Sequence, residues 1–516
     1  MKRREFIERL GATTLLAGGA PDLTAAPWSE FDNQPETHVR DEGRADEFFY
    51  RPENAWAGDF IPYYEGGRFH LFHLQTWRDI PGHGEGTPWF QISTSDFVQF
   101  KELGQMLARG TKDEQDLYVF TGSVIKADGQ YHIFYTGHNP YFPKLGKPQE
   151  AVLHAVSDDL LSWEKHPEDT IYAPAAEYEP DDWRDPFVFW NVEAREYWML
   201  LAARLKSGPS RRRGCTALCA SKDLKKWEIR EPFWAPGLYS VHECPDLFRL
   251  GDWWYLVFSE GSERTATHYR MSRSLKGPWL VPDNDTFDGR AFYAAKTASD
   301  DHHRFAFGWL ATRQDSKDYR PWNWGGNLVV HELIQEADGS LSVKAPASID
   351  QAFHETVTYQ FRPAVGPCNI SQGTVQFTTP QGFACASAGN MPTRCKIEAR
   401  MDFQANTRGC GIMLHANDTF DSAYYIRLEP TRNRLVFDSW PRPGDVPFWV
   451  ELERPIQLQP LQPLDLKVFV DGTACVVYVA DKVAMSTRLY DLKQGEWGVF
   501  VNEGSARFRE VQISTL

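Results

Sequence analysis

What is scarce in this chain bounds it first. Clustered cations are missing: 55 Lys and Arg stand against 70 Asp and Glu, the net charge is −15, and Arg211-Arg212-Arg213 is an isolated basic run. Phosphate backbones are bound by grouped Lys and Arg, so nucleic acid is excluded as the expected partner. Past residue 20 no stretch approaches the ~20 apolar residues of a membrane span, so no membrane is expected either. The eight cysteines (215, 219, 244, 368, 385, 395, 410 and 475) lack paired metal spacing. They read as buried thiols, with one or two disulfides left open. No metal or cofactor is expected. Helical periodicity is almost absent, which points to an all-β chain.

What is abundant is aromatic: 14% of the residues, including 19 Trp. A disordered chain would be poor in such residues, and this length fills two or more domains. The N-terminus stands apart. Lys2-Arg3-Arg4-Glu5-Phe6-Ile7 precedes a weak apolar stretch, Leu10 to Ala20. Residues 1–26 resemble a twin-arginine export signal, which implies a periplasmic or extracellular destination.

An aromatic strand then recurs five times, beginning at Phe69, Tyr131, Tyr197, Trp254 and Phe305. A polar element follows the first four copies: Ser95-Asp96, Ser157-Asp158-Asp159, Ser221-Lys222-Asp223 and, more loosely, Ser272-Arg273-Ser274. Repeats of this length built from short strands are propeller blades. A five-bladed β-propeller is therefore expected over residues 45–345. Beyond Lys344-Ala345-Pro346-Ala347-Ser348 the repeat stops, and residues 352–516 alternate apolar and polar in many short strands. That pattern predicts a C-terminal β-sandwich, jelly-roll-like.

Three acids sit where acids are expensive. Asp59, Asp185 and Glu243 lie ten, twelve and eleven residues before the aromatic strands of blades one, three and four. The spacing gives them one place in their blades, near the start of the innermost strand. Pro62, Pro186 and Pro245 are tolerated there because that strand has an unpaired edge. Innermost strands line the channel, so the three carboxylates are expected to converge at one mouth. Ionised groups leave water at a cost of several kcal/mol unless paired, and Arg184 beside Asp185 supplies a pair.

Converging carboxylates suit either cation binding or glycoside hydrolysis. The Asn- and Asp-rich loop spacing of a hard-cation site is missing. In glycoside hydrolysis one carboxylate attacks or stabilises while a second, with raised pKa, protonates the leaving oxygen. Glu243, between apolar neighbours, fits the acid, and Asp59 or Asp185 is expected to stay charged. Arg184 offers donors to sugar hydroxyls. Trp56, Trp89 and Trp324 are the candidates for stacking on a sugar, and Phe120, Ser123 and Tyr293 occupy the matching places in blades two and five. The expected partner is an oligo- or polysaccharide.

These residues resemble glycoside hydrolase family 32, the invertases, inulinases and levanases. Trp183-Arg184-Asp185-Pro186 looks like its RDP motif and Glu243-Cys244-Pro245-Asp246-Leu247-Phe248 its ECPDLF motif. Phe120-Thr121-Gly122-Ser123 is similar to FSGS, and Asp288-Gly289 with Phe292-Tyr293-Ala294 to a D-x-G…FYA segment. The resemblance implies Asp59 as nucleophile, Glu243 as general acid/base, Asp185 as transition-state stabiliser, and retention at a fructofuranosyl carbon. The first motif departs from the family's W-M-N-D-P-N-G, reading Trp56-Ala57-Gly58-Asp59-Phe60-Ile61-Pro62. Two alternatives stay open: an inverting arabinofuranosidase- or xylosidase-like enzyme of the same fold, and a non-catalytic glycan-binding protein.

Overall fold

A computed structural model describes residues 48–78, 80–442 and 452–516. The expected export signal, residues 1–26, lies outside them. The chain is built almost wholly from antiparallel strands, and the only α-helix among the described residues is the short Ala347–Ala352 segment.

Residues 56–344 form five consecutive antiparallel meanders. Their first strands are Trp56–Glu65, Tyr118–Ala127, Tyr178–Asn191, Glu243–Leu250 and Phe292–Ser299. Each of these touches the next, and the fifth touches the first, so they make a closed ring. The recurring aromatic strands are the second strands, and they pack the blades against one another through Phe72, Phe134, Leu200, Leu256 and Phe307. One backbone pair, Ala57 with Gly326, joins the first blade to the last. The entering chain reinforces that seam, with Leu328 N donating to Tyr50 O at 2.8 Å.

The polar element after each third strand is a side-chain-built turn. Ser157 and Asp159 show the logic: Ser157 Oγ accepts from the Leu160 N–H, and Asp159 Oδ1 accepts from Leu161 and Ser162 N–H at 2.8 Å each. Short polar side chains that mimic backbone acceptors favour such turns. Ser221 and Asp223 repeat it, with Lys225 and Lys226 as donors. In blade one Thr94, rather than Ser95, takes the serine's place, accepting from Phe97 N–H at 2.9 Å.

Beyond residue 352 two long strands, Thr374–Asn390 and Glu496–Thr515, run side by side and serve two faces. The first part of the latter pairs with Gly409–Ala416 and its last part with Arg394–Phe403. The bend falls near Gly504, whose φ of 153° and close approach to Thr407 suit glycine. The result is a β-sandwich. All eight cysteines are free thiols, and all but Cys368 are buried.

The sandwich grips the last two blades through buried polar groups. Asp288 accepts from Ser486 N–H and Oγ–H at 2.7 and 2.6 Å and from the Gly289 N–H, and it meets His331 Nε2 at 2.9 Å. His331 in turn meets Tyr478 Oη at 2.8 Å. Arg454 and Arg488, both buried, donate to carbonyls of Asp288, Thr286, Leu310 and Ala311.

Candidate active site

Each inner strand breaks its register at the same level. The shifts fall between Gly58 and Ile61, Phe120 and Gly122, Arg184 and Phe187, Glu243 and Asp246, and Tyr293 and Lys296. A bulge of this kind re-aims one side chain and sharpens the local twist. Asp59, Asp185, Cys244 and Ala294 take positive φ there, 50°, 58°, 50° and 51°. Aspartate tolerates the left-handed region better than most side chains, and the remaining strain is typical of functional sites.

The bulges correct one expectation. Asp59 and Asp185 are equivalent, but in blade four the equivalent residue is Cys244. Glu243 precedes it by one place and reaches the ring from the strand's first residue.

The three acids do meet. Asp185 Oδ2 accepts from the Cys244 backbone N–H at 2.9 Å, next to Glu243. Arg184 Nη2 donates to Glu243 Oε1 at 3.0 Å, while its Nε lies 3.9 Å from Asp185 Oδ2. Tyr293, from blade five, donates its hydroxyl to Glu243 Oε2 at 2.5 Å. Asp59 is held by Thr121 Oγ1 from blade two and Trp309 Nε1 from blade five, each at 2.9 Å. All five blades therefore contribute.

The sequence expectation left Asp59 or Asp185 charged, and the enclosure of both aspartates works against that charge. Burial, followed by the Asp185 charge, pushes Asp59 up to about 7 against the pull of Thr121 and Trp309. Burial likewise pushes Asp185 up to about 6, although Arg184 opposes it. Like charges crowded into one pit cannot all ionise freely, and protons are shared across such a set. Both oxygens of Glu243 accept hydrogen bonds, from Arg184 and Tyr293.

A stability consequence follows. A carboxyl whose folded pKa is raised binds its proton in the native state while the unfolded chain has released it, so stability falls as pH climbs from about 4 towards 7. Asp59→Asn should therefore raise the melting temperature, by more at pH 8 than at pH 5. The gain at pH 8 is expected at about 2 kcal/mol or more. Melts of both proteins at the two pH values check the sign; a variant less stable at pH 8 overturns it.

The other candidates divide. Trp324 flanks the Gly58-Asp59 segment: its ring lies 5.8 Å from Trp309, and a Cβ added at Gly58 would fall 2.5 Å from its Cζ2. The side chain missing at residue 58 is thus replaced by an indole. Trp56 carries the Arg78 guanidinium 4.1 Å above its ring, and Arg78 also donates to Trp324 O at 2.8 Å. Phe120 is half-buried and stacks on His138 at 4.6 Å. Trp89 and Ser123 need correction. Trp89 is fully buried among Phe72 and Tyr135, its Nε1 donating to Phe120 O, so it packs a blade and offers no face to a sugar. Ser123 is buried too, its Oγ accepting from Val188 N–H at 3.0 Å between blades two and three.

Sequence reasoning passed over Thr121, Trp309 and Glu150 as site residues. Glu150, which accepts from Arg184 behind the acids, carried a usable signal, being an acid at the head of the apolar run Ala151-Val152-Leu153, the same oddity that exposed Asp185.

A ring of β-meanders with converging acids on its inner strands, backed by a β-sandwich, is the build of a carbohydrate-cleaving enzyme. The family model for the glycosyl hydrolases family 32 N-terminal domain matches residues 50–344, and the chain belongs to that family. It is 23% identical to the sucrose-6-phosphate hydrolase of Escherichia coli, over 85% of this chain and 88% of that one. It is 26% identical to the levanbiose-producing levanase of Bacillus subtilis, over 94% and 93%. Among solved structures it superposes on fructan 1-exohydrolase IIa from Cichorium intybus with a TM-score of 0.71 at 15% identity, covering 94% of this chain and 98% of that one. That likeness shows the fold, a propeller followed by a sandwich.

Proposed function

We propose that the chain releases terminal fructofuranosyl units from fructans or fructosyl oligosaccharides by double displacement with retention. One observation carries the reading: in a family 32 chain, the charges of Asp185 and Glu243 act on Asp59, all three stand at the breaks in their inner strands, and Arg184 spans Asp185 and Glu243. Asp59 attacks the anomeric carbon, its two oxygens already oriented by Thr121 and Trp309. Glu243 delivers a proton to the leaving oxygen and later takes one from water. Asp185 accepts from the sugar's hydroxyls and opposes the positive charge that develops on the ring. Arg184 holds Asp185 and Glu243 in register.

Incubation with sucrose, inulin, levan and a nitrophenyl-furanoside panel tests it, with proton NMR of the first-formed sugar. The β-anomer of fructose should appear first. Cleavage confined to arabinofuranosides with inversion would support the rival enzyme. Sugar binding without release from any substrate would support a glycan-binding protein.

A further inference from the structure

The guanidinium of Arg184 is held from both sides. Its front edge faces Glu243 and Asp185, as described. Its Nη1 points backwards, donating to Glu150 Oε2 at 3.3 Å and to Asp182 Oδ1 at 2.5 Å. Glu150 starts the third strand of blade two and is 4% exposed. It is itself fixed: Oε2 accepts from the Trp183 N–H at 3.2 Å, and Oε1 lies 3.2 Å from His138 Nδ1. Nothing in the chemistry above uses it.

A buried acid behind an arginine does two things. It fixes a fork of donors whose rotamers would otherwise spread, and it offsets the cation's field on whatever lies in front. The titratable and charged groups around Arg184 and Glu150 are His138 from blade two, Asp181, Asp182 and Asp185 on the strand of Arg184, and Glu243 from blade four. Arg204 lies beyond Asp182, its Nε 3.6 Å away, and Lys296 of blade five acts on Asp185. Of the two acids at the rear, Glu150 keeps its charge more firmly. Burial works against it, but Arg184 and His138 hold its carboxyl below the usual range, whereas burial pushes Asp182 up to about 6.

We propose that Glu150 is a positioning residue for the reaction: it anchors Arg184 across Asp185 and Glu243, and its charge tempers the guanidinium's pull on both. The catalytic half of this statement rests on the glycosidase reading; the electrostatic half does not. Without the rear charge, the full field of Arg184 reaches the front acids and favours their ionised forms. The protonated state that the leaving oxygen needs is then lost at lower pH.

Glu150→Gln keeps the length and an acceptor for Arg184 while removing the charge. It should lower kcat about 10-fold with KM little changed, and move the alkaline limb of the kcat/KM profile down by about one pH unit. Glu150→Asp keeps the charge but withdraws it by one carbon, so it should lower kcat with the limb nearly unmoved. A second readout needs no substrate: in protein carrying 13C-carboxyl aspartate, the Asp185 midpoint should fall in Glu150→Gln. An unmoved Asp185 midpoint overturns the proposal, as does wild-type kcat in Glu150→Gln. So does a loss of kcat that only tracks the folded fraction. If the wild-type chain cleaves no furanoside, the functional reading fails, and the aspartate titration still decides the role of Glu150.

Discussion

Replacing Glu243 by Gln should lower kcat on sucrose or levan by about 10²–10⁴-fold, the usual contribution of a positioned proton donor. The fold should survive the change. A glutamine oxygen still accepts from Arg184, and its amide can donate to the Tyr293 hydroxyl, which then turns to serve as acceptor. The loss is expected to depend on the leaving group. A nitrophenolate departs without protonation, so a nitrophenyl-fructoside should suffer much less than sucrose in the first step. Near-wild-type turnover of sucrose by this variant would remove Glu243 from the acid role. An equal loss on both substrates would point to damaged binding.

The second large effect is on stability and lies away from the chemistry. Asp288→Ala should destabilise the protein by about 3–5 kcal/mol, the range for breaking a buried charged network from one side. Asp288 is fully enclosed, and the change would leave the Ser486 N–H, the Ser486 hydroxyl and His331 without their acceptor. Burial opposes its charge, but His331, Ser486 and Arg454 hold its carboxyl below the usual range. A lowered folded pKa contributes stability above the unfolded value of about 4 and loses it as pH falls below that. The gap between wild type and Asp288→Asn should therefore narrow in acid. Denaturant titrations at pH 7 and pH 4 measure it; a gap that widens in acid contradicts the assignment.

Much of this was legible because it is periodic. Aromatic strands recurring at near-constant spacing give blades whatever their exact ends, and charged residues heading apolar strands give the acids. The failures are local. One inserted residue at a bulge shifts Cys244 into the slot that spacing assigned to Glu243, and residue counting cannot see which of two neighbours bulges. Ser123 shares its strand with Thr121, but its hydroxyl serves the backbone of the neighbouring blade, and Trp89 lies on the third strand of blade one, away from the inner strands that carry the acids. Trp309 looked like one more blade aromatic, and only its Nε1 contact with Asp59 separates it from the rest. The direction of the aspartate shifts depends on how deeply each acid is enclosed and which charges face it, which is a fact of three dimensions.

The matching breaks in the five inner strands have a broader consequence. Each acts as a socket that turns one residue towards the axis without disturbing the ladder on either side. Two sockets hold aspartates, and blades two, four and five present Thr121, Cys244 and Ala294. A ring made this way can exchange its reactive groups one at a time, so new chemistry can arise by substitution at the hub while the walls, and the sandwich clamped to them, stay as they are.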